Sequence, residues 1–426
     1  MRDGLEERRA LQLDEGDPLP AARSEFAVPP WPGGRHPEWA YFAGNSLGLM
    51  PRAARDAVAA ELDEWARLGV EAWFEAREPW LEYAGTMRPS VGALVGGLPH
   101  EVAVMSSLTV NLHLLLATFY RPSGERCRIM IEEASFPSDA HAVQSRAGLH
   151  GLEPAETVVT LQSRPGESTL RTEDVVAAIE TEGPRLALVL LGAVSYLTGE
   201  VLDVAEITRA ARAVGAVCGW DLAHAIGNVP LELHEAGADF AVWCHYKYVN
   251  AGPGAPGGLF VHERHAGDAA LPRLAGWWGV DPATRFRMER TFVPRPGAEG
   301  WAVSTPPILA LAPLGTALEL FDRHGLGALR ARSARITGYL EQLLDDVAST
   351  RTLSVTTPRD PGRRGCQLSV AVPGARELAG RLRREHGVVC DFREPDVLRL
   401  APVPLYNTFH DCWRAAEALR DVLQPR

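Results

Sequence analysis

From about residue 100 to 262 the chain alternates short apolar runs with longer stretches of helical spacing. Glu101–Met105, Cys127–Ile131, Leu186–Val194, Ala216–Asp221, Phe240–Cys244 and Gly258–His262 are too short and too continuously apolar for surface helices, and they read as buried strands. Between them, Thr109–Phe119, Ser138–Ala147, Val204–Val214 and Leu231–Ala236 repeat their apolar residues on one helical face. Strands alternating with helices in this order predict an α/β fold whose sheet is mainly parallel and covered on both faces.

Flanking this block, Pro51 to Gly69 predicts an amphipathic helix with Pro51 near its start. The residues before it mix charge, Pro and Ala and read as an N-terminal arm, 1–50, with room for a short helix. A Pro/Gly-rich connector spans roughly 281–307. After it come two long helical patterns, Ile308–His324 and Leu326–Val347. Then follow a strand at Gln367–Val372, a helix at Ala375–His386, strands near Val388–Phe392 and Val397–Ala401, and a last helix at His410–Leu423. The expected organisation is a large domain over 51–305 and a smaller α+β C-terminal domain over 306–426.

Composition narrows the function without naming it. A net charge of −11 argues against general nucleic-acid binding, which needs a basic surface. No run of about 18 apolar residues suggests a membrane span, and the charged N-terminus lacks the apolar core of a signal peptide. The six cysteines lie far apart without CxxC spacing and read as reduced thiols of a cytoplasmic protein. His262-Glu-Arg-His265 approaches a metal-ligand spacing but lacks the helical H-E-x-x-H form, so no metal is expected.

One residue changes the picture. Lys and Arg total 43, and Lys247 is the single lysine. Arginine stays protonated, whereas a lysine amine can lose its proton and attack a carbonyl. Lys247 closes the apolar, aromatic run Phe240-Ala-Val-Trp-Cys-His-Tyr-Lys247, an approach that a surface lysine does not need. Asp221 ends another strand pattern 26 residues earlier, where a parallel strand presents its side chain to the ligand crevice. An amine for an imine and an acid for a pyridine nitrogen together suit pyridoxal phosphate; alone, Asp221 reads equally as a helix cap. Ser106-Ser-Leu-Thr109, at a strand-to-helix junction, offers hydroxyls and backbone N–H groups for a phosphate. Tyr246 could add a phenol, and Phe136 a ring face for the cofactor. Arg399, between apolar neighbours on a strand pattern, reads either as a shielded cation awaiting a carboxylate or as a strand-edge Arg facing solvent.

Longer motifs carry a resemblance. Trp220-Asp-Leu-Ala-His-Ala-Ile-Gly-Asn-Val-Pro-Leu-Glu-Leu-His234, Trp243-Cys-His-Tyr-Lys-Tyr-Val-Asn-Ala-Gly252, Phe42-Ala-Gly-Asn-Ser-Leu-Gly48, Phe136-Pro-Ser-Asp139, Ser304-Thr-Pro-Pro-Ile-Leu309 and Leu400-Ala-Pro-Val-Pro-Leu-Tyr-Asn-Thr-Phe-His-Asp411 resemble the kynureninase family, in consistent order from about residue 40 to the end. The resemblance implies a fold-type-I pyridoxal-phosphate homodimer with active sites at the subunit interface. It implies hydrolysis of L-kynurenine to anthranilate and L-alanine, within tryptophan catabolism or NAD biosynthesis. By position it makes Lys247 the imine lysine, Asp221 the pyridine partner, His224 its neighbour and Tyr246 the candidate proton donor. It puts Thr109, Tyr246 and Trp277 at the phosphate or cofactor, with Leu108, Phe136, Ser138 and Asp139 around the ring and Thr305 beside it. Arg399 becomes the substrate-carboxylate clamp near Asn45, and Trp73, Ser304 and Thr305 meet the substrate's aromatic ring. Three positions depart from the family pattern: His245, where Ser is usual before Tyr-Lys; Gly192, in place of a hydroxyl residue; and Gly276-Trp-Trp-Gly-Val280, for Gly-Trp-Phe-Gly-His. The last two bear on phosphate binding or the fit of the substrate ring, and Val280 with Ser304 leaves a ring-substituted kynurenine open as substrate. A class V aminotransferase or cysteine desulfurase is the rival of the same fold, and Cys366 is the one cysteine near a loop that a desulfurase could use.

Overall fold

In the computed structural model, which describes residues 2–268 and 270–424, the apolar runs line up as a seven-stranded sheet. Its strands are β1 (Val102–Met105), β2 (Arg128–Glu132), β3 (Val158–Leu161), β4 (Leu186–Gly192), β5 (Val217–Asp221), β6 (Phe240–Cys244) and β7 (Gly257–Val261), in the order β1-β7-β6-β5-β4-β2-β3. β2 to β6 pair in parallel, and β7 runs antiparallel to both β1 and β6. Every residue of β6 and β7 is buried, as expected for strands covered on both faces. The crossover helices are α3 (Leu108–Phe119), α4 (Pro137–Leu149), α5 (Thr172–Glu182) and α6 (Val204–Ala213), after α1 (Arg2–Glu15) and α2 (Ala53–Leu68) near the N-terminus.

β3 and α5 were not legible in the sequence. β3 has only Leu161 buried, because it lies at the sheet edge. α5 (Thr-Glu-Asp-Val-Val-Ala-Ala-Ile-Glu-Thr-Glu) buries only Val175 and Ile179, so its apolar face is one thin line.

The C-terminal part opens with α7 (Ile308–His324) and α8 (Leu326–Ala348). A four-stranded sheet follows, formed by β8 (Ser354–Val355), β9 (Leu368–Ala371), β10 (Asp391–Arg393) and β11 (Val397–Leu400), with α9 (Ala375–His386) and α10 (Phe409–Val422) against it. The N-terminal segment expected as an arm forms the 14-residue helix α1. Ala10 of α1 is buried in one core with Ile336, Leu340 and Trp413, and Asp14 accepts the Phe409 and His410 N–H groups at 2.7 and 3.0 Å, capping α10. All six cysteines are unpaired. Among the described residues no helix is long and apolar enough to cross a membrane.

One buried ion pair locks the start of the chain to its end. Arg332 donates from Nε to Asp17 at 2.7 Å and from Nη1 to the carbonyls of Pro404 and Asn407, and the side chains of Asp17 and Arg332 are 0% and 1% exposed. Removing one partner strands the other charge in the interior. Asp17→Ala is expected to lower unfolding free energy by about 3–5 kcal/mol, read from urea unfolding; a loss below about 1 kcal/mol would show that the pair contributes no more than a surface bridge.

Candidate active site

The parallel strands aim their C-terminal ends at one cleft of about 180 Å³. Asp221 ends β5, Lys247 follows β6, and α3 and α4 begin at its rim. The loop carrying Lys247 is held by the N-terminal motif. The Gly48 N–H donates to the Tyr246 carbonyl at 2.8 Å, and a Cβ on Gly48 would stand 2.4 Å from the Lys247 carbonyl oxygen. That close approach explains the glycine that closes Phe42-Ala-Gly-Asn-Ser-Leu-Gly48. Asn250, just beyond, takes a left-handed backbone with φ of 64° to turn the chain toward β7.

Lys247 Nζ lies 3.0 Å from His224 Nε2. Its hydrogen-bond partner is thus an imidazole rather than a carboxylate, and burial, reinforced by the nearby Lys247 ammonium, holds that imidazole's proton affinity well below the usual range. A neutral His224 can accept a hydrogen bond from Nζ at Nε2 and so orient the amine within the cleft. Asp221 Oδ1 accepts the Ala223 N–H at 2.7 Å. Asp139, in the first turn of α4, faces Asp221, and burial together with that neighbour raises its carboxyl well above the ordinary range. Burial likewise raises the Tyr246 phenol. The Phe136 ring lies 5.9 Å from Lys247 Nζ and edge-on to Tyr196.

Pyridoxal phosphate can be tested against these side chains. The N-terminus of α3, with Leu108 and Thr109 on the cleft, presents backbone N–H groups and a hydroxyl to a phosphate. Asp221 supplies the acid for a ring nitrogen, and Phe136 an apolar face for the ring. His224 Nδ1 is buried without a partner, a polar atom awaiting a ligand. The donor set fits the cofactor.

Of the residues proposed from sequence, Leu108, Thr109, Phe136, Ser138, Asp139, Asp221, His224, Tyr246 and Lys247 all line this cleft. The others do not. Trp277 is 45% exposed and edge-on to Trp278, and Ser304 and Thr305 are exposed. Trp73 packs edge-on against Trp80 and at a tilt against Trp278. Asn45 is fully buried and donates to Gln367, with its Oδ1 unpartnered. Arg399 is fully buried, not solvent-facing, and it already has a carboxylate: Asp391, its cross-strand neighbour, takes Nε at 2.7 Å and also Nη2, while Nη1 donates to the Tyr196 carbonyl at 2.8 Å. Glu132 and Tyr196 line the cleft but were missed. Glu132 had a signal, since like Asp221 it is an acid closing a buried strand run; Tyr196 lies in a loop and had none.

His245 does not face the cofactor cleft. Its Nδ1–H donates to the Pro256 carbonyl at 2.7 Å and its Nε2 accepts the Trp243 indole N–H at 2.8 Å. Among the cysteines, Cys366 is fully buried and its thiol is pushed up to about 12 by burial, so it offers no exposed nucleophile of the kind a desulfurase requires.

Fold and cleft together define a fold-type-I pyridoxal-phosphate enzyme. A solved structure of the same fold, the cystine C–S lyase C-DES with glycine covalently linked to its pyridoxal-phosphate cofactor, superposes with a TM-score of 0.77 at 19% identity, covering 89% of this chain and 96% of that one. At the level of sequence, a family model described as the kynureninase C-terminal domain matches residues 329–419. The kynureninase of Salinispora tropica is 59% identical over 97% of this chain and 96% of its own length, and that of Xanthomonas campestris pv. campestris (strain B100) is 53% identical over 98% of each. The chain belongs to the kynureninase family.

His245 gives a stability test. Burial lowers its proton affinity to about 4, whereas an unfolded histidine titrates near 6.5. The unfolded chain therefore binds the extra proton in between, and this part of the stability is lost as pH falls from about 6.5 to about 4. His245→Ala leaves the Trp243 N–H unpaired, which costs about 1–3 kcal/mol at neutral pH, and should flatten the fall in urea midpoint across that window. Parallel pH profiles of the two proteins would contradict it.

Proposed function

We propose that this chain hydrolyses L-kynurenine to anthranilate and L-alanine, breaking the Cβ–Cγ bond of the substrate with one water. The observation that carries the reading is the single lysine at the base of a cleft that also holds Asp221 and a helix N-terminus, in a chain 59% identical to a kynureninase over nearly its full length. Pyridoxal phosphate, when bound, supplies the aldehyde that joins an amine and the ring that withdraws electrons from the substrate's α-carbon. Asp221 would face the ring nitrogen and keep it protonated. A neutral His224 accepts a hydrogen bond from Lys247 Nζ and holds the amine in place. Lys247 would hold the cofactor through Nζ and, when that amine is free, would take the substrate's α-carbon proton and carry it for return. Tyr246, kept protonated by burial, donates a proton late in the reaction as the anthranilate and alanine fragments separate. Thr109 and the α3 N-terminus hold the phosphate, and Leu108, Phe136, Ser138 and Asp139 enclose the ring. Arg399 would receive the substrate's α-carboxylate at Nη1, which requires the Tyr196 carbonyl to give way because the guanidinium is buried and does not line the cleft.

A second copy of the chain completes this site. Trp277, Ser304 and Thr305 belong to the exposed surface, and Trp277 neighbours Phe286, which with Phe74 and Met288 forms part of an apolar exposure of 53–73%. Large apolar side chains left bare together mark an association surface. On this reading the substrate's aromatic ring meets Trp73, Ser304 and Thr305, with Asn45 near its amino-acid end, and the homodimer works in the cytoplasm.

Lys247→Arg should release no anthranilate at any enzyme concentration, because a guanidinium forms no imine; measurable anthranilate from that variant would exclude the mechanism. Sedimentation of the loaded protein should give a dimer. A monomer of full activity would show that one chain suffices.

A further inference from the structure

Glu132 lines the cleft, yet the proposed reaction gives it no task. It ends β2, which lies beside β4, and Gly192 at the end of β4 is paired with Asp221 at the end of β5. Three neighbouring parallel strands therefore finish with Glu132, Gly192 and Asp221 in a row. Gly192 has no side chain to separate the two acids. Glu132 Oε1 accepts the Gly192 N–H at 3.1 Å, and a Cβ on residue 192 would come within 3.1 Å of the same oxygen. Glu132 Oε2 is shut off from solvent without a hydrogen-bond partner. Asp139 faces Asp221 from α4.

The cleft thus holds three carboxyls, while its other titratable groups are Lys247, a neutral His224 and the phenols of Tyr246 and Tyr196. Behind Glu132 lies a second cavity of about 50 Å³, lined by Glu133, Glu200, Ser195 and Thr198 among others, with no cation in its lining. Glu200 is already paired with Arg363. Carboxylates crowded into a water-poor site cannot all be charged. Burial, with Asp221 alongside, pushes the Glu132 carboxyl up to about 7.

We propose that Glu132 is a positioning residue for the pyridine-binding acid: as a neutral carboxyl it leaves Asp221 to carry the negative charge of the cluster, and on ionising it adds a second charge beside Asp221. This deepens the cofactor reading above and rests on it. The second charge favours protonated forms of the bound cofactor. The protonated linkage to Lys247 therefore persists to higher pH in the native protein than in one whose residue 132 cannot ionise.

The absorbance of the loaded, substrate-free protein, titrated from pH 5.5 to 10, tests this. Glu132→Gln keeps the shape and removes the titration, and it should lower the midpoint of the Lys247–cofactor chromophore by about 0.5 unit or more. An unchanged or raised midpoint overturns the proposal. The native protein alone gives a second readout that needs no variant. With Glu carbon-13 labelled, infrared spectra should show a buried protonated Glu carboxyl band that disappears through about pH 7; no such titrating band also overturns it. A native protein that forms no chromophore at all would instead sink the cofactor reading, so the two failures are distinguishable.

Discussion

Parallel pairing of β4, β5 and β6 is the constraint on which the rest of the site depends. Because these strands run the same way, the residues at their C-terminal ends share one edge of the sheet. Asp221 and the Lys247 loop, 26 positions apart in sequence, meet there with the start of α3. Two features then fix Lys247 within that edge. Gly48 packs against its carbonyl, and Asn250 turns the chain immediately after it. The amine is left beside a neutral imidazole, in a cleft whose other acids gather around Asp221.

The same architecture separates fold from chemistry. C-DES shares the fold at 19% identity, which speaks to the backbone plan alone. The local residues discriminate. A desulfurase uses a cysteine nucleophile on a mobile loop, whereas Cys366 is fully buried next to Tyr248 and hydrogen-bonded through its backbone N–H to Asn228. Arg399 sits in a network with Asp391, Ser46 and Tyr196 that fixes the orientation of its guanidinium.

Much of the large sheet was legible because β4, β5, β6 and β7 are continuous apolar runs, the signature of strands buried on both faces. β3, an edge strand, and α5, with its two buried residues, carry too little of that signature to be read. The helical character of α1 was hidden differently: its partners, Phe409 and Ile336, lie more than 300 residues away, and a charged segment shows its helix only once that contact exists. At the site, Lys247 was visible through its uniqueness, and Asp221 and His224 through their motif. Glu132 escaped although it ends a strand as Asp221 does, because no motif surrounds it. The occupation of Arg399 by Asp391 could not be read from spacing, since it follows from the register that sets β10 against β11.

The central claim is that the sole lysine is the covalent anchor of an aldehyde cofactor. Reduction of the loaded protein with borohydride, followed by proteolysis and mass mapping, tests it directly. The pyridoxyl phosphate mass is expected on the peptide containing Lys247. An unmodified Lys247 peptide from fully loaded, reduced protein would contradict it.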